Sequence, residues 1–438
     1  MDQQQLKKIR LFAKNTMLKS KDISHDWGHI ERVVKNAGDI IDYLNLELNK
    51  NLLEACVLLH DLSFSENRGN IFFKYLLEVR MTIELLQKAF KSELSFVSGQ
   101  DQNIIIDAIR HHAFSFPYHQ LNRKRSLYSR VLQDADTIDY FSKERFKQAC
   151  KRKTLLITYK LLKFIYDFGF HNLKYFLNFP QLANRFGRVA HIPLSFREFG
   201  NKNKKKVVFI SGYASSKKAF RLFEKQISQK YHLIMIDLPM AKGFFKRLRI
   251  DEIVGYVERI VELKKIDKFE LTGFSFGGLA AIAYTAKHEE QVKKLVLLST
   301  LPTFLNSKKK KFLYKLLKPV LVSPLFSRIY VYLNTSKIIR SIIRGQKINY
   351  EESLLMRQQP VPIFSTFFQN IDLDLSEIFN ELPTMKVTFF TKDDRILKEK
   401  MYRKASSSMK VDVFIEGFGG HNFDIEYQKQ AADIWLEE

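Results

Sequence analysis

The sequence predicts two domains of different class: an all-α bundle over residues 1–150, then an α/β domain over 191–438 with a mostly parallel sheet and helices on both faces. Three observations predict it. Residues 1–150 carry apolar positions at helical spacing and little strand pattern. After about Arg188 the pattern changes to short apolar runs, several separated by helical segments, which is what parallel strands with crossover helices require. At 438 residues and 45% hydrophobic content, the chain is long for a single core and rich enough to bury more than one.

The elements follow in order. Ile30, Val33, Val34, Ala37, Ile40 and Ile41 recur at helical spacing, as do Leu52, Leu53, Cys56 and Leu59. Asn103 is placed to cap a helix through Ile104–Ile106, Ala108 and Ile109. Residues 151–190 mix Lys and Arg with Leu, Ile, Phe and Tyr and read as a basic amphipathic connector, broken near Gly169 and Pro180. The apolar runs Val207–Ile210, Leu233–Ile236, Phe269–Thr272, Leu295–Leu298 and Val387–Phe390 are the expected strands. Helical sequence at 301–384, including Lys308–Lys311, interrupts them. An insertion of that length after a core strand is expected to form a helical cap over an active site.

Composition bounds the function classes. Two cysteines, Cys56 and Cys150, allow neither a disulfide framework nor a cysteine zinc motif, as suits a reducing cytoplasm. Met1–Gln5 is polar, and no run approaches ~18 apolar residues, so neither a signal peptide nor a spanning helix is expected. A cytoplasmic location follows, with membrane-peripheral contact open. The net charge of +25 is uneven: residues 141–206 hold sixteen Lys and Arg against three Asp and Glu, whereas 1–140 hold nineteen against eighteen. The connector and the 308–344 stretch therefore admit two readings. Either they are packing helices with lysines in solvent, or they form a face for an anionic membrane surface. Basicity without a reading motif makes nucleic acid the weaker partner, and oligomeric state is not determined.

The tightest motif is Gly273-Phe274-Ser275-Phe276-Gly277-Gly278, between a strand and an Ala-rich helix. A serine hydroxyl is a weak nucleophile, and a sharp glycine-flanked strand-to-helix turn lifts it out of the sheet toward a base. Asp394 and His421 follow in the order a triad needs, with Asp393 as the alternative acid. One oxyanion donor is expected from the backbone of Phe276. The other is expected from the loop Ser211-Gly212-Tyr213, at Tyr213. These residues resemble the α/β-hydrolase superfamily over about 191–438. The resemblance implies hydrolysis of an ester or thioester through an acyl-enzyme. Ser211 stands where many members have His, and Asp237–Gly243 lacks the usual Gly-His-Gly run, so substrate class and loop geometry stay open.

A second constellation is N-terminal. Six of the eleven histidines lie within the first 119 residues: His25, His29, His60, His111, His112 and His119. His60-Asp61 ends an apolar helix, and Asp134 and Asp136 open another. Imidazoles and carboxylates from several helices of one bundle suit a divalent transition metal. His29 before an Ile-Glu-Arg-Val run, the Leu-Leu-His-Asp sequence, Ile109–His112 and Gln133–Asp136 resemble the HD-domain phosphohydrolases over about 20–145. The resemblance implies His29, His60, Asp61 and Asp136 as metal ligands. It makes His111 and His112 candidates for a second metal or a phosphate, with His25-Asp26 a weaker alternative pair and Asp134 an outer partner. It does not distinguish Mn, Fe, Co, Ni, Mg or Zn. The implied chemistry is metal-assisted hydrolysis of a phosphate ester, often in a nucleotide.

The expected protein is thus a bifunctional hydrolase acting on small-molecule ester and phosphate substrates. Two alternatives remain: a single serine hydrolase regulated by a nucleotide- or metal-sensing HD-type domain, or a non-catalytic membrane-surface or interaction scaffold.

Overall fold

A computed structural model describes residues 1–20, 25–66, 71–112, 125–151, 156–213, 220–239, 247–305, 307–335, 361–394, 397, 399–421 and 425–436. His119, Met240–Gly243 and residues 336–360 of the expected cap lie outside them. The chain divides into two compact units, Met1–Arg188 and Val189–Glu438.

The first unit is helical: α1 Gln3–Met17, α2 Trp27–Leu44, α3 Lys50–Leu59, α4 Ile71–Ala89, α5 Gly99–His112, α6 Leu127–Tyr140, α7 Lys143–Lys151, α8 Leu156–His171 and α9 Leu182–Phe186. Local chemistry sets their starts. Asp26 accepts the His29 N–H at the head of α2, Asn49 accepts the Leu52 N–H of α3, and Ser126 accepts the Ser129 N–H of α6. Asn45 ends α2 in the left-handed region at φ 49°. The stripe Ile30, Val33, Ala37, Ile40 and Ile41 of α2 is buried against α3 and α6, and α3 is buried almost all round. Leu173, Leu177 and Leu182, from the basic connector, join this same core.

The second unit is a seven-stranded sheet: β1 Phe196–Phe199, β2 Lys206–Ile210, β3 His232–Ile236, β4 Phe269–Phe274, β5 Val292–Leu298, β6 Met385–Thr391 and β7 Val413–Gly417. The spatial order is β1-β3-β2-β4-β5-β6-β7, with β1 antiparallel at the edge and every other pair parallel. Strands buried on both faces must be apolar at both parities. Accordingly Val208, Ile210, Ile234, Ile236 and Leu271 face one cluster with α11 (Ile250–Leu263) and α12 (Phe276–Lys287). Val207, Phe209, Leu233 and Met235 face another, with α10 (Arg221–Lys230) and the C-terminal helix Ile425–Leu436.

The order reverses at β2, whose neighbours β3 and β4 are reached by connections running opposite ways. Ligand sites of open α/β sheets lie at such a switch, outside the carboxyl ends of the strands. The insertion between β5 and β6 is helical, with α13 Lys308–Leu321, α14 Pro324–Thr335 and short helices at Thr366–Asn370 and Ser376–Glu381. Among the described residues, no single helix is long and apolar enough to cross a membrane.

Phe209 on β2 is fully buried, its ring 5.2 Å and 5.3 Å from those of Phe220 and Phe223. Phe209→Ala leaves a cavity in the middle of the sheet and is expected to cost ~3–5 kcal/mol, read from chemical unfolding of the full chain. A loss below ~1 kcal/mol would show that this face of the sheet is not close-packed.

Candidate active sites

The serine site forms where three loops leave the carboxyl edge of the sheet. Ser275 links β4 to α12 with φ 52° and ψ −122°, a strained conformation for a residue bearing a Cβ. Two contacts hold it there: the Ser275 N–H donates to Leu298 O at 2.9 Å, and the Gly278 N–H donates to Ser275 O at 3.0 Å. The turn is also sterically closed. A Cβ at Gly277 would meet Ile210 O at 2.4 Å, and one at Gly273 would meet Gly278 Cα at 2.5 Å. Only glycine lets α12 lie this close to β2 and β4.

The pairing Thr391↔Gly417 between β6 and β7 brings the next two loops together. His421 Nε2 lies 2.9 Å from Ser275 Oγ, and His421 Nδ1 lies 2.7 Å from Asp394 Oδ2. Asp394 is buried, and its second oxygen accepts the Leu397 N–H at 2.8 Å. Asp393 points elsewhere: its carboxylate accepts the Gly419 N–H at 3.1 Å and so ties down the histidine loop. Thr391 Oγ1 donates to Gly420 O at 2.8 Å and fixes the same turn.

Ile210↔Gly273 pairing sets the β2 loop beside the serine, and a Cβ at Gly212 would approach Ser275 Cβ to 3.2 Å. The Tyr213 and Phe276 rings lie 4.8 Å apart. Phe276 in turn meets Phe367, which touches Phe304 and Phe368, so an aromatic wall runs from the serine turn into the helical insertion.

The histidine–aspartate site is built from α2, the end of α3, α5 and α6. Donor atoms of His29, His60 and Asp61 lie within 4.8 Å of one another, as do those of His60, His112 and Asp136. His29 Nε2 is 3.2 Å from Asp61 Oδ2 and 3.4 Å from Asp136 Oδ1. Each imidazole uses Nδ1 outward: His29 to Asp139 Oδ2, His60 to Val57 O and His112 to Ile109 O, all at 2.7 Å. These contacts turn every Nε2 inward. Buried His29 Nε2, His60 Nε2 and Asp61 Oδ2 have no hydrogen-bond partner. Orphaned donor atoms converging on one point are costly unless something binds them, and two imidazoles plus carboxylates fit a divalent cation.

The electrostatics agree. Burial pulls the His29 imidazole down, but its hydrogen bond to Asp139 and the nearby Asp61 carboxylate outweigh this and hold it up at about 9. Burial pushes Asp139 up, and the His29 and Arg32 bonds overcome it, taking the carboxyl down to about 2. Asp61 is held low against its own burial by the His60 and His25 charges. Glu78 is driven up to about 9 by burial and by the Asp61 and Asp136 carboxylates, so the pocket has a surplus of acidic groups.

Comparison with known families now decides the classes. The HD domain family matches residues 26–140, and the α/β hydrolase fold family matches residues 205–335. The chain joins an HD domain to an α/β-hydrolase-fold domain. It is similar to epoxide hydrolase 1 of Caenorhabditis elegans, 25% identical over 118 residues, which cover 26% of this chain and 29% of that protein. It is also similar to monoacylglycerol lipase abhd6-A of Xenopus laevis, 29% identical over 128 residues, covering 25% of this chain and 38% of that protein. The chain thus spans about a third of the length of these curated relatives. Among solved structures, a thermophilic esterase from Thermogutta terrifontis aligns with 14% identity and a TM-score of 0.44, over 56% of this chain and 92% of the esterase.

Within the HD domain, the structure sorts the predicted histidines. His29, His60, Asp61, Asp136 and His112 are brought together; His111 is not, and binds Asp107 on its own helix at 3.0 Å. His25 stacks on Phe64 at 3.8 Å and meets Arg145 at 3.3 Å, while Asp26 serves as the α2 cap. Asp134 faces away from the cluster, accepting the N–H groups of Asn178 and Phe179 at 2.7 and 2.9 Å; burial outweighs those bonds and lifts it to about 6. Sequence reasoning missed Asp139, which joins His29 to Arg32 at 2.6 Å. Its signal was available: Asp139 lies one turn beyond Asp136 on α6, and Arg32 one turn beyond His29 on α2.

Asp139→Asn keeps the shape but removes the charge that orients His29 and raises its basicity. Metal retention, measured by elemental analysis after dialysis against a weak chelator, is expected to fall ~10–100-fold in affinity. Retention equal to wild type would show that His29 is positioned without Asp139.

Proposed function

We propose that the hydrolase-fold domain is a serine hydrolase of carboxylic esters or thioesters. The observation that carries this reading is the continuous hydrogen-bonded chain Ser275 Oγ, His421 and Asp394. His421 Nε2 takes the serine proton as Oγ attacks the acyl carbon, then returns it to the leaving group. Asp394 holds the imidazole in the tautomer with hydrogen on Nδ1 and balances the imidazolium charge. Backbone N–H groups of Phe276 and Tyr213 are assigned to the oxyanion, and the Tyr213–Phe276–Phe367 wall to the acyl group. Water activated by His421 then cleaves the acyl-enzyme.

The nucleophile's identity bears on the two relatives. Attack by a serine oxygen on an epoxide carbon gives an alkyl ether, which His421 and water cannot hydrolyse. Attack on an acyl carbon gives an ester, which they can. Acyl chemistry like that named for the lipase relative therefore fits Ser275, and epoxide opening does not. Thioesters and oxyesters remain equally compatible.

For the HD domain we infer a metal-dependent phosphohydrolase, with His29, His60, Asp61, Asp136 and His112 as the residues that would hold the cation. A bound divalent ion would supply Lewis-acid polarisation of a phosphate ester. The chain's own contribution is orientation: Asp139, Val57 O and Ile109 O fix the three imidazoles. The orphaned nitrogens and carboxylate oxygen support this reading over a purely structural histidine cluster.

Ser275→Ala is expected to abolish fluorophosphonate labelling and to lower hydrolysis of a p-nitrophenyl acyl ester by at least ~10⁴-fold, with Asp394→Asn lowering kcat by ~10²–10⁴-fold. Undiminished turnover in Ser275→Ala would refute the serine mechanism.

Asp61→Ala is expected to strip the metal and with it the hydrolysis of a phosphodiester probe such as bis-p-nitrophenyl phosphate, leaving the acyl esterase within about twofold. Phosphodiester turnover that survives both Asp61→Ala and chelation would remove the metal reading.

A further inference from the structure

The helical insertion carries apolar side chains on its outer side as well as its inner one. On α13 the outward positions are Phe312, Leu313, Leu316, Leu317 and Val320, exposed by 72, 53, 68, 44 and 59%. The inward positions include Lys311 and Lys318, which pair with Asp374 and Asp372, alongside buried Tyr314. On α14, Leu325, Ile329, Tyr332 and Leu333 are exposed, while Val331 is buried, Phe326 and Tyr330 pack inward and Ser327 bonds Ser365. A helix that serves only its own fold turns its apolar stripe to the core. Here nine large apolar side chains on one hairpin face outward, a patch that marks a surface for something else.

Length and charge identify the occupant. The two helices, Lys309–Leu321 and Pro324–Leu333, meet at a 100° bend. Thirteen and ten residues reach only about 20 and 15 Å at 1.5 Å per residue, short of a ~30 Å hydrocarbon core. They suit lying in an interface, not crossing it. Exposed Lys309, Lys310 and Lys315 border the apolar face, and residues 291–350 contain no Asp or Glu at all. A second copy of this chain would set lysines against lysines across such a face.

We propose that α13 and α14 form a docking surface for an anionic lipid bilayer, with the apolar residues entering the acyl boundary and the lysines meeting lipid phosphates. Beneath that surface, rings on the inward side of α14 lead to the serine site: Tyr330 meets Phe368 at 5.4 Å, Phe368 meets Phe367 at 5.5 Å, and Phe367 meets Phe276 at 6.0 Å. Docking would thus set the acyl wall of the serine site next to lipid.

The test is flotation of the full chain with large unilamellar vesicles, without substrate. Vesicles of 30% phosphatidylglycerol in phosphatidylcholine are compared with pure phosphatidylcholine. Binding is read in Ser275→Ala as well as wild type, so its outcome is independent of the serine mechanism. The expected result is binding at least tenfold tighter to the anionic vesicles. A double variant Phe312→Ser/Leu316→Ser should lose at least tenfold in binding, and Lys309→Glu/Lys310→Glu/Lys315→Glu should lose the preference for anionic lipid. Circular dichroism checks that both remain folded. Equal retention of both variants on anionic vesicles overturns the proposal. So does failure of wild type to float, or light scattering that shows a dimer which Phe312→Ser/Leu316→Ser converts to monomer.

Discussion

The pairing of β2 with β4 is the constraint on which the serine site depends. Ile210 and Gly273 are register partners at the carboxyl edge, so the chain leaving β2 and the chain leaving β4 emerge side by side. Ser275 then has room only if α12 starts at once and tightly, and Gly277 allows it to start against the Ile210 carbonyl. The other end of the sheet repeats the logic, because β6 and β7 in register carry the acid loop and the histidine loop to the same place. The hydrogen-bonded arrangement of residues 275, 394 and 421 is therefore a consequence of strand register before it is a matter of side chains. The strain at Ser275 is held by two backbone hydrogen bonds and by the packing of α12.

The HD domain meets a different constraint, the cost of burying polar groups. Its cluster removes His29, His60, Asp61 and His112 from water at the junction of four helices. Outer contacts satisfy one nitrogen of each imidazole, and the inner nitrogens of His29 and His60 are left without a hydrogen-bond partner. Such an arrangement opposes folding unless a cation or substrate supplies the missing partners, because each unsatisfied buried group costs ~1–3 kcal/mol. The raised His29 and Glu78 pKa values have the same origin, groups buried beside closely spaced carboxylates. Stability of this domain and occupancy of its centre should therefore be linked quantities.

Much of this was legible in the sequence, and the illegible parts share a cause. Fold class could be read because strand runs buried on both faces and helices buried on one leave different periods. The Gly-Phe-Ser-Phe-Gly-Gly turn was readable because close backbone approach admits few residues, and His60-Asp61 because a polar pair ending an apolar helix needs a reason. What spacing could not rank was direction. His111 and His112 are neighbours, but on a helix they diverge by about 100°, and only His112 faces the bundle. Asp393 and Asp394 are likewise adjacent; one holds a backbone amide and the other the imidazole. Asp134 looked like an outer partner of a metal and instead anchors Asn178 and Phe179. Asp139 went unread because its partner lies 110 residues away.

The cap hairpin shows the same limit from the other side. Its lysines and aromatics are conspicuous in the sequence, yet composition cannot say which of the two faces turns outward. In the structure the inward face packs Leu321, Phe326, Tyr330 and Phe364 around Tyr314, Val322 and Phe368, and adds lysine–aspartate pairs near solvent. Such pairs are worth only ~0–1 kcal/mol each. Water makes the hairpin's exposed leucines and aromatics unfavourable, and an apolar boundary would relieve that cost at ~25 cal/mol per Å² removed from water. The inner cluster already satisfies the fold, so the apolar side chains outside it are surplus to the hairpin's own packing and are what a lipid boundary would cover.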